Sequence, residues 1–119
     1  MVCVDRLELR EQTTGDRRAG ARAGGRPILV DFIGGSTGYR RHARLSRRQP
    51  IALAMGRRHG PLQVVDATAG LGRDAFLLAC MGLSVHMVER NAVLAALLGD
   101  GLRRAQAATD PNLAAIIKR

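Results

Sequence analysis

Apolar residues recur with two different periods along this chain. Short runs occur at Ile28-Leu29-Val30, continued by Phe32-Ile33 after Asp31, at Val64-Val65, which closes on Asp66, and in Ser84-Val85-His86-Met87-Val88. Runs of this length bounded by glycine or polar residues predict strands. The first is nearly continuous and stops at Gly34-Gly35, which predicts a strand buried on both faces. Between the second and third runs, Ala75 to Met81 is almost wholly apolar and predicts a short buried helix, with Gly82 at the place of a left-handed C-terminal cap. After the third, Asn91 is placed to cap a helix carrying Val93, Leu94, Leu97, Leu98 and Leu102, with Gly99 and Gly101 weakening its middle. Asp110-Pro111 predicts a further helix start, and residues 49–59 read as helical through Ile51, Leu53, Ala54 and Met55.

These elements form a strand, a glycine turn, a helix and a second strand ending in an acid, the order of a nucleotide-type βαβ unit. The turn is Asp66-Ala67-Thr68-Ala69-Gly70-Leu71-Gly72-Arg73-Asp74, and Glu89 follows Asp74 by fifteen residues. Gly70 and Gly72 allow a strand to turn directly into a helix while a ligand approaches the backbone. A carboxylate at Glu89 can accept two hydrogen bonds from a ribose diol. Two ligands fit this pattern, a dinucleotide and S-adenosylmethionine. Gly70-x-Gly72-x-x-Ala75 matches the dinucleotide fingerprint, but a pyrophosphate needs the positive helix end free of anions, and Asp66 and Asp74 flank that turn with only Arg73 to offset them. Two carboxylates suit a ligand with an ammonium and a sulfonium better, so the reading favours S-adenosylmethionine. Glycine turns also occur in α/β domains that bind nothing there. Asp74 serves equally as a dipole partner, and Thr68 as a turn hydroxyl.

Charge divides the chain in two. Residues 1–60 hold 13 arginines against 5 acids, whereas residues 61–119 hold 6 basic residues against 5 acids. Its densest cluster contains Arg40, Arg41, Arg44, Arg47 and Arg48, a candidate RNA-binding surface because the planar guanidinium donates paired hydrogen bonds to phosphate. Aromatics at 3% leave few platforms for base stacking, so any nucleic-acid contact rests on charge. Cys3 and Cys80 match no metal spacing, and no metal site is expected. No apolar stretch is long enough for a bilayer and the first residues lack a signal-peptide core, so no membrane association and a cytoplasmic location are expected. Residues 12–26, with repeated Arg-Ala-Gly, read as a flexible connection. The organisation expected is a partial N-terminal segment with a flexible basic linker over 1–26, and the cofactor-binding half of one α/β domain over 27–119.

The segment from Val65 to Leu102, together with Leu7-Glu8-Leu9-Arg10, Val30-Asp31-Phe32-Ile33-Gly34-Gly35 and the Arg40-Arg41 pair, closely resembles the bacterial ribosomal small-subunit methyltransferases of the J type. The resemblance spans nearly the whole chain, and Asp-Ala-Thr-Ala-Gly-Leu-Gly-Arg-Asp-Ala-Phe is its most specific element. It implies a Rossmann-like S-adenosylmethionine-dependent methyltransferase domain that methylates a guanine N2 of 16S rRNA, with 16S rRNA or the small ribosomal subunit as partner. By motif it places cofactor contacts at Arg73, Asp74, Glu89 and Arg90, to which the reading of the turn adds Asp66, Gly70 and Gly72. Members of that family run to roughly twice this length on the usual domain scale and carry, further on, an Asp-Pro-x-Phe-Pro element resembling the target-base loop of N-methyltransferases. That element is missing here, and Leu45-Ser46-Arg47-Arg48-Gln49-Pro50 stands where relatives have a glycine-rich basic run. The expectation is therefore a fragment, incomplete at its C-terminus, with no assignable catalytic residue and no activity alone. A dinucleotide-binding oxidoreductase fragment and a non-catalytic RNA-binding module remain as alternatives from other classes.

Overall fold

The structure, a computed structural model, describes residues 5–11, 25–34, 38, 50–55 and 63–119. Its elements are α1 (Pro50–Ala54), β1 (Gln63–Asp66), α2 (Arg73–Cys80), β2 (Ser84–Met87), α3 (Ala92–Ala107) and α4 (Pro111–Ile117). β1 and β2 pair in parallel, with Gln63 opposite Ser84 and Asp66 opposite Met87. Parallel neighbours need a crossover, and α2 supplies it. The βαβ unit and the helix after it thus form as their patterns predict, in an α/β arrangement.

Local chemistry sets the ends of the helices. At the end of α2, Leu83 donates its amide to Leu78 O and Gly82 to Ala79 O, at 3.1 and 3.0 Å, while Gly82 adopts φ +93°. Those paired bonds define a Schellman cap, which needs a residue tolerant of left-handed backbone. Asn91 caps α3, its side chain accepting from the amides of Val93 and Leu94, and Asp110 caps α4 in the same way with Pro111 in the first turn. α2 buries Ala75 through Ala79, which accounts for its nearly unbroken apolar sequence.

The segment at 28–33 departs from expectation. Among the described residues it forms one isolated antiparallel bridge, Leu9 with Ile28, closed by two backbone hydrogen bonds of 2.8 and 2.9 Å. It buries one face only: Val30 and Phe32 are enclosed, while Ile28 and Ile33 are 45% and 47% exposed. Asp31 Oδ1 accepts from the amides of both Ile33 and Gly34 at 3.0 Å, a turn that ends the extended run.

Val30 and Phe32 enter the main core, with Ala69, Phe76, Leu97, Leu98, Ala105 and Leu113. Phe32 stacks on Phe76 at 4.8 Å between ring centroids. Two glycines admit this segment. A side-chain carbon at Gly72 would lie 2.7 Å from Leu98 Cδ1 and 3.2 Å from Phe32 Cζ, and one at Gly101 would meet the Val30 side chain, 2.8 Å from its Cβ. α3 runs unbroken through both of its glycines, and Gly101 is where Val30 lies against it.

A polar clasp holds the same segment. Asp100, 6% exposed on α3, accepts from the Leu7 amide at 3.0 Å, from Arg104 Nε at 2.8 Å and from Arg103 Nη2 at 2.8 Å. Arg104 also donates to Val30 O. A carboxylate withdrawn from water is tolerated when it is paired in this manner. The Leu7 amide, then Arg104 and Arg103, hold the Asp100 carboxyl below the ordinary aspartate range. Among the described residues no helix is long and apolar enough to cross a membrane.

Two outcomes follow from these contacts, both measurable by urea denaturation followed by circular dichroism. Gly99→Ala, with open space around the new carbon, should stabilise the chain by about 0.5 to 1 kcal/mol through helix propensity. Gly101→Ala carries the same propensity gain yet should destabilise it by about 1 to 3 kcal/mol, because Val30 must move. Equal effects of the two changes would refute the packing role of Gly101. The second outcome concerns acid. A lowered pKa in the folded state gives stability that is present above the ordinary aspartate value, about 3.9, and is lost as pH falls through the folded one. Asp100→Asn should therefore be less stable at neutral pH and should lose less stability than the parent chain on acidification below about pH 4.

Candidate functional site

The candidate site is built at the carboxyl ends of the two parallel strands, where β1 passes into the glycine turn. Asp66 closes β1, and its backbone carbonyl accepts from the Val88 amide at 2.8 Å. Ala69 returns an amide to Val88 O at 3.1 Å, so the turn is tied across to the chain leaving β2. Within the turn, Asp66 Oδ1 accepts from the Thr68 amide at 3.1 Å and Ala69 O from the Gly72 amide at 2.7 Å. Gly70 and Gly72 both adopt positive φ, +54° and +71°, a conformation that disfavours any side chain.

Glu89 is the second tie. Its Oε2 accepts from the Gly70 amide at 2.8 Å and its Oε1 from the Asn91 amide at 2.7 Å. The Asn91 amide foremost, and then the Gly70 amide, hold the Glu89 carboxyl below its ordinary range, with Arg90 adding a smaller contribution. Each oxygen receives one backbone donor and keeps a further lone pair for another. Asn91 thus acts twice, its side chain capping α3 and its amide fixing Glu89, a role that sequence reading missed although the Glu-x-Asn spacing carried the signal.

Beside the turn lies a cleft of about 470 Å³, with α1 and the residue after it on one side and β1, the turn and the start of α2 on the other. Its polar wall is Asp66, Thr68, Arg73 and Asp74, and its apolar wall includes Ile51, Met55, Val65 and Leu71. The volume falls in the range of small-molecule sites, which is roughly 300 to 1,000 Å³. Of the residues singled out from sequence, Asp66, Arg73 and Asp74 meet in this cleft. Gly70 joins Glu89 at the turn, and Arg90 lies exposed next to Glu89. Gly72 faces inward, toward Leu98 and Phe32, so it shapes the turn from behind. Ile51 and Met55, read from sequence only as apolar helix positions, form cleft wall because α1 packs opposite the turn.

Arg40, Arg41, Arg44, Arg47 and Arg48 lie outside the described residues, as does Cys3. Cys80 is half-buried at the edge of the core. Among the described residues no group of three or more histidines, cysteines or acids is arranged to hold a metal ion.

Comparison with known proteins supplies a further finding. A family model described as "Putative SAM-dependent methyltransferase" matches residues 3–119. Proteins named Ribosomal RNA small subunit methyltransferase J from Yersinia pestis (strain Pestoides F) and from Yersinia pseudotuberculosis (serotype O:1b) are each 50% identical to this chain over 105 residues, or 87% of its length. The chain spans 38% of the length of those relatives. With its glycine turn, its closing acid and a family match running through both, the chain belongs to the S-adenosylmethionine-dependent methyltransferases.

Proposed function

We propose that residues 27–119 form the cofactor-binding half of a Rossmann-like methyltransferase domain, and that the whole protein transfers a methyl group from S-adenosylmethionine to a guanine N2 of 16S rRNA in the cytoplasm. The observation that carries this reading is the glycine turn bonded to Glu89 at the ends of two parallel strands, beside a cleft walled by two carboxylates. The similarity to proteins named for small-subunit rRNA methylation supports the substrate class.

The donor set suits the cofactor. Asp66 and Asp74 offer negative charge to an ammonium and a sulfonium, Glu89 has acceptor capacity left for ribose hydroxyls, and the apolar wall suits an adenine ring. Arg73 and Arg90 frame the site and can receive the cofactor carboxylate. S-adenosylmethionine supplies a methyl group activated by a positively charged sulfur. The contribution of this chain is positioning: Gly70 and Gly72 shape the turn, and the cleft walls beside it hold the ligand in place. The chain alone should bind cofactor without transferring a methyl group.

The arginines at positions 40, 41, 44, 47 and 48 are proposed to hold the rRNA through its phosphates. They lie on the chain between the segment that packs against Gly101 and the helix that walls the cleft.

Calorimetry with S-adenosylhomocysteine tests the pocket. Glu89→Ala should weaken binding by roughly ten- to a hundredfold, the effect of losing charge-assisted hydrogen bonds, and unchanged affinity with an intact fold would remove Glu89 from the site. The RNA arm is tested by salt titration: replacing Arg40, Arg41, Arg47 and Arg48 with alanine should lower RNA affinity and flatten the dependence of log affinity on log salt, since fewer counterions are released. A slope identical to that of the parent chain would dismiss this cluster.

A further inference from the structure

The glycine turn has the form of an anion cradle, yet its amides are already engaged from within. Of the five backbone N–H groups from Thr68 to Gly72, four donate inside the molecule: Thr68 to Asp66 Oδ1, Ala69 to Val88 O, Gly70 to Glu89 Oε2 and Gly72 to Ala69 O. Two of those four acceptors are carboxylates. In phosphate-binding turns the corresponding amides point at the ligand, and the dipole of the following helix adds to their attraction. Here the first turn of α2 contains Asp74, which opposes an incoming anion. Glu89 is fixed at the Gly70 amide by its second bond, to Asn91, and the two amides keep it charged across the neutral range.

We propose that Glu89 sets the ligand class of this turn: its carboxylate serves as a built-in anion on the Gly70 amide, so the site admits an adenosine whose 5′ substituent is neutral or cationic and rejects one that is phosphorylated. The proposal rests on the reading of the turn as the adenosyl site, and goes beyond it in making Glu89 a specificity determinant as well as a ribose acceptor. A phosphate oxygen and the Glu89 oxygen compete for one N–H. Admitting the phosphate means displacing a carboxylate held by two backbone donors, or placing two like charges side by side at the turn. The only basic residue on the cleft wall, among the described residues, is Arg73, set against Asp66 and Asp74.

The test compares S-adenosylhomocysteine, adenosine and ADP by calorimetry on the 119-residue chain and on three variants. The parent chain should bind adenosine about tenfold or more tightly than ADP, the discrimination expected from one uncompensated like-charge contact. Glu89→Gln keeps an oxygen that can accept a hydrogen bond from the Gly70 amide but removes the charge. It should weaken adenosine binding while raising the ratio of ADP to adenosine affinity by about tenfold, and Glu89→Ala should raise that ratio likewise. Glu89→Asp, which keeps the charge, should leave the ratio low. A parent chain that binds ADP as tightly as adenosine overturns the proposal whether or not the variants fold. So does a ratio that stays unchanged in Glu89→Gln while S-adenosylhomocysteine still binds the parent chain, and that result leaves the adenosyl reading standing. A parent chain that binds neither S-adenosylhomocysteine nor adenosine overturns both.

Discussion

The arrangement depends on a ring meeting a position without a side chain. Phe32, 1% exposed, stacks on Phe76 and reaches within 3.2 Å of where a side-chain carbon at Gly72 would stand. Leu98 from α3 closes on the same point. Three parts of the chain, the segment around Phe32, the start of α2 and the middle of α3, therefore converge behind the glycine turn. Since interiors pack as densely as organic crystals, a turn backed in this way has little freedom to shift. Its front, with Asp66, Thr68, Arg73 and Asp74 facing the cleft, is held in place by contacts that involve no ligand. Catalytic geometry of the kind proposed relies on such preorganisation.

α3 connects the site to the rest of the molecule. Its first residues are fixed through Asn91, which caps the helix and donates to Glu89. Nine residues on, Asp100, Gly101 and Arg104 hold the segments at Leu7 and Val30. The same rigid element thus carries the Glu89 anchor at one end and the docking place of the N-terminal segment in its middle.

Much of this was legible from the residues because local chemistry decides it. Asn91, Asp110-Pro111 and Gly82 each satisfy backbone groups within a few positions of themselves, so their caps are written in short sequence. The parallel pair was likewise readable from two apolar runs flanking a glycine turn and an apolar helix. What sequence left hidden depends on partners distant along the chain. The run at 28–33 reads as doubly buried, and the residues that take only Val30 and Phe32 into the core, Phe76, Leu97 and Leu98 among them, lie far along the chain. Gly99 and Gly101 look equivalent, two residues apart on one helix, yet only Gly101 has Val30 against it. Gly70 and Gly72 look like two parts of one ligand motif, whereas one donates to Glu89 and the other faces the core. The two hydrogen bonds of Glu89 are hidden for a similar reason: a ribose-binding acid and a backbone-binding acid have the same letter.

The Asp100 clasp also bears on the order in which the molecule assembles. It joins residues 93 positions apart, whereas Val64 and Val85, partners in the sheet, are separated by about twenty. Loop-closure entropy rises with the logarithm of the length closed, which makes the clasp about 1 kcal/mol harder to form than the strand pair if the intervening chain is loose. On that entropy alone, the parallel unit with its helices is expected to form before the N-terminal segment docks onto α3. In reverse, that segment is the natural first departure. Its release would uncover the surfaces of α2 and α3 that Val30 and Phe32 cover while breaking no bond between β1 and β2, a partial opening distinct from global denaturation.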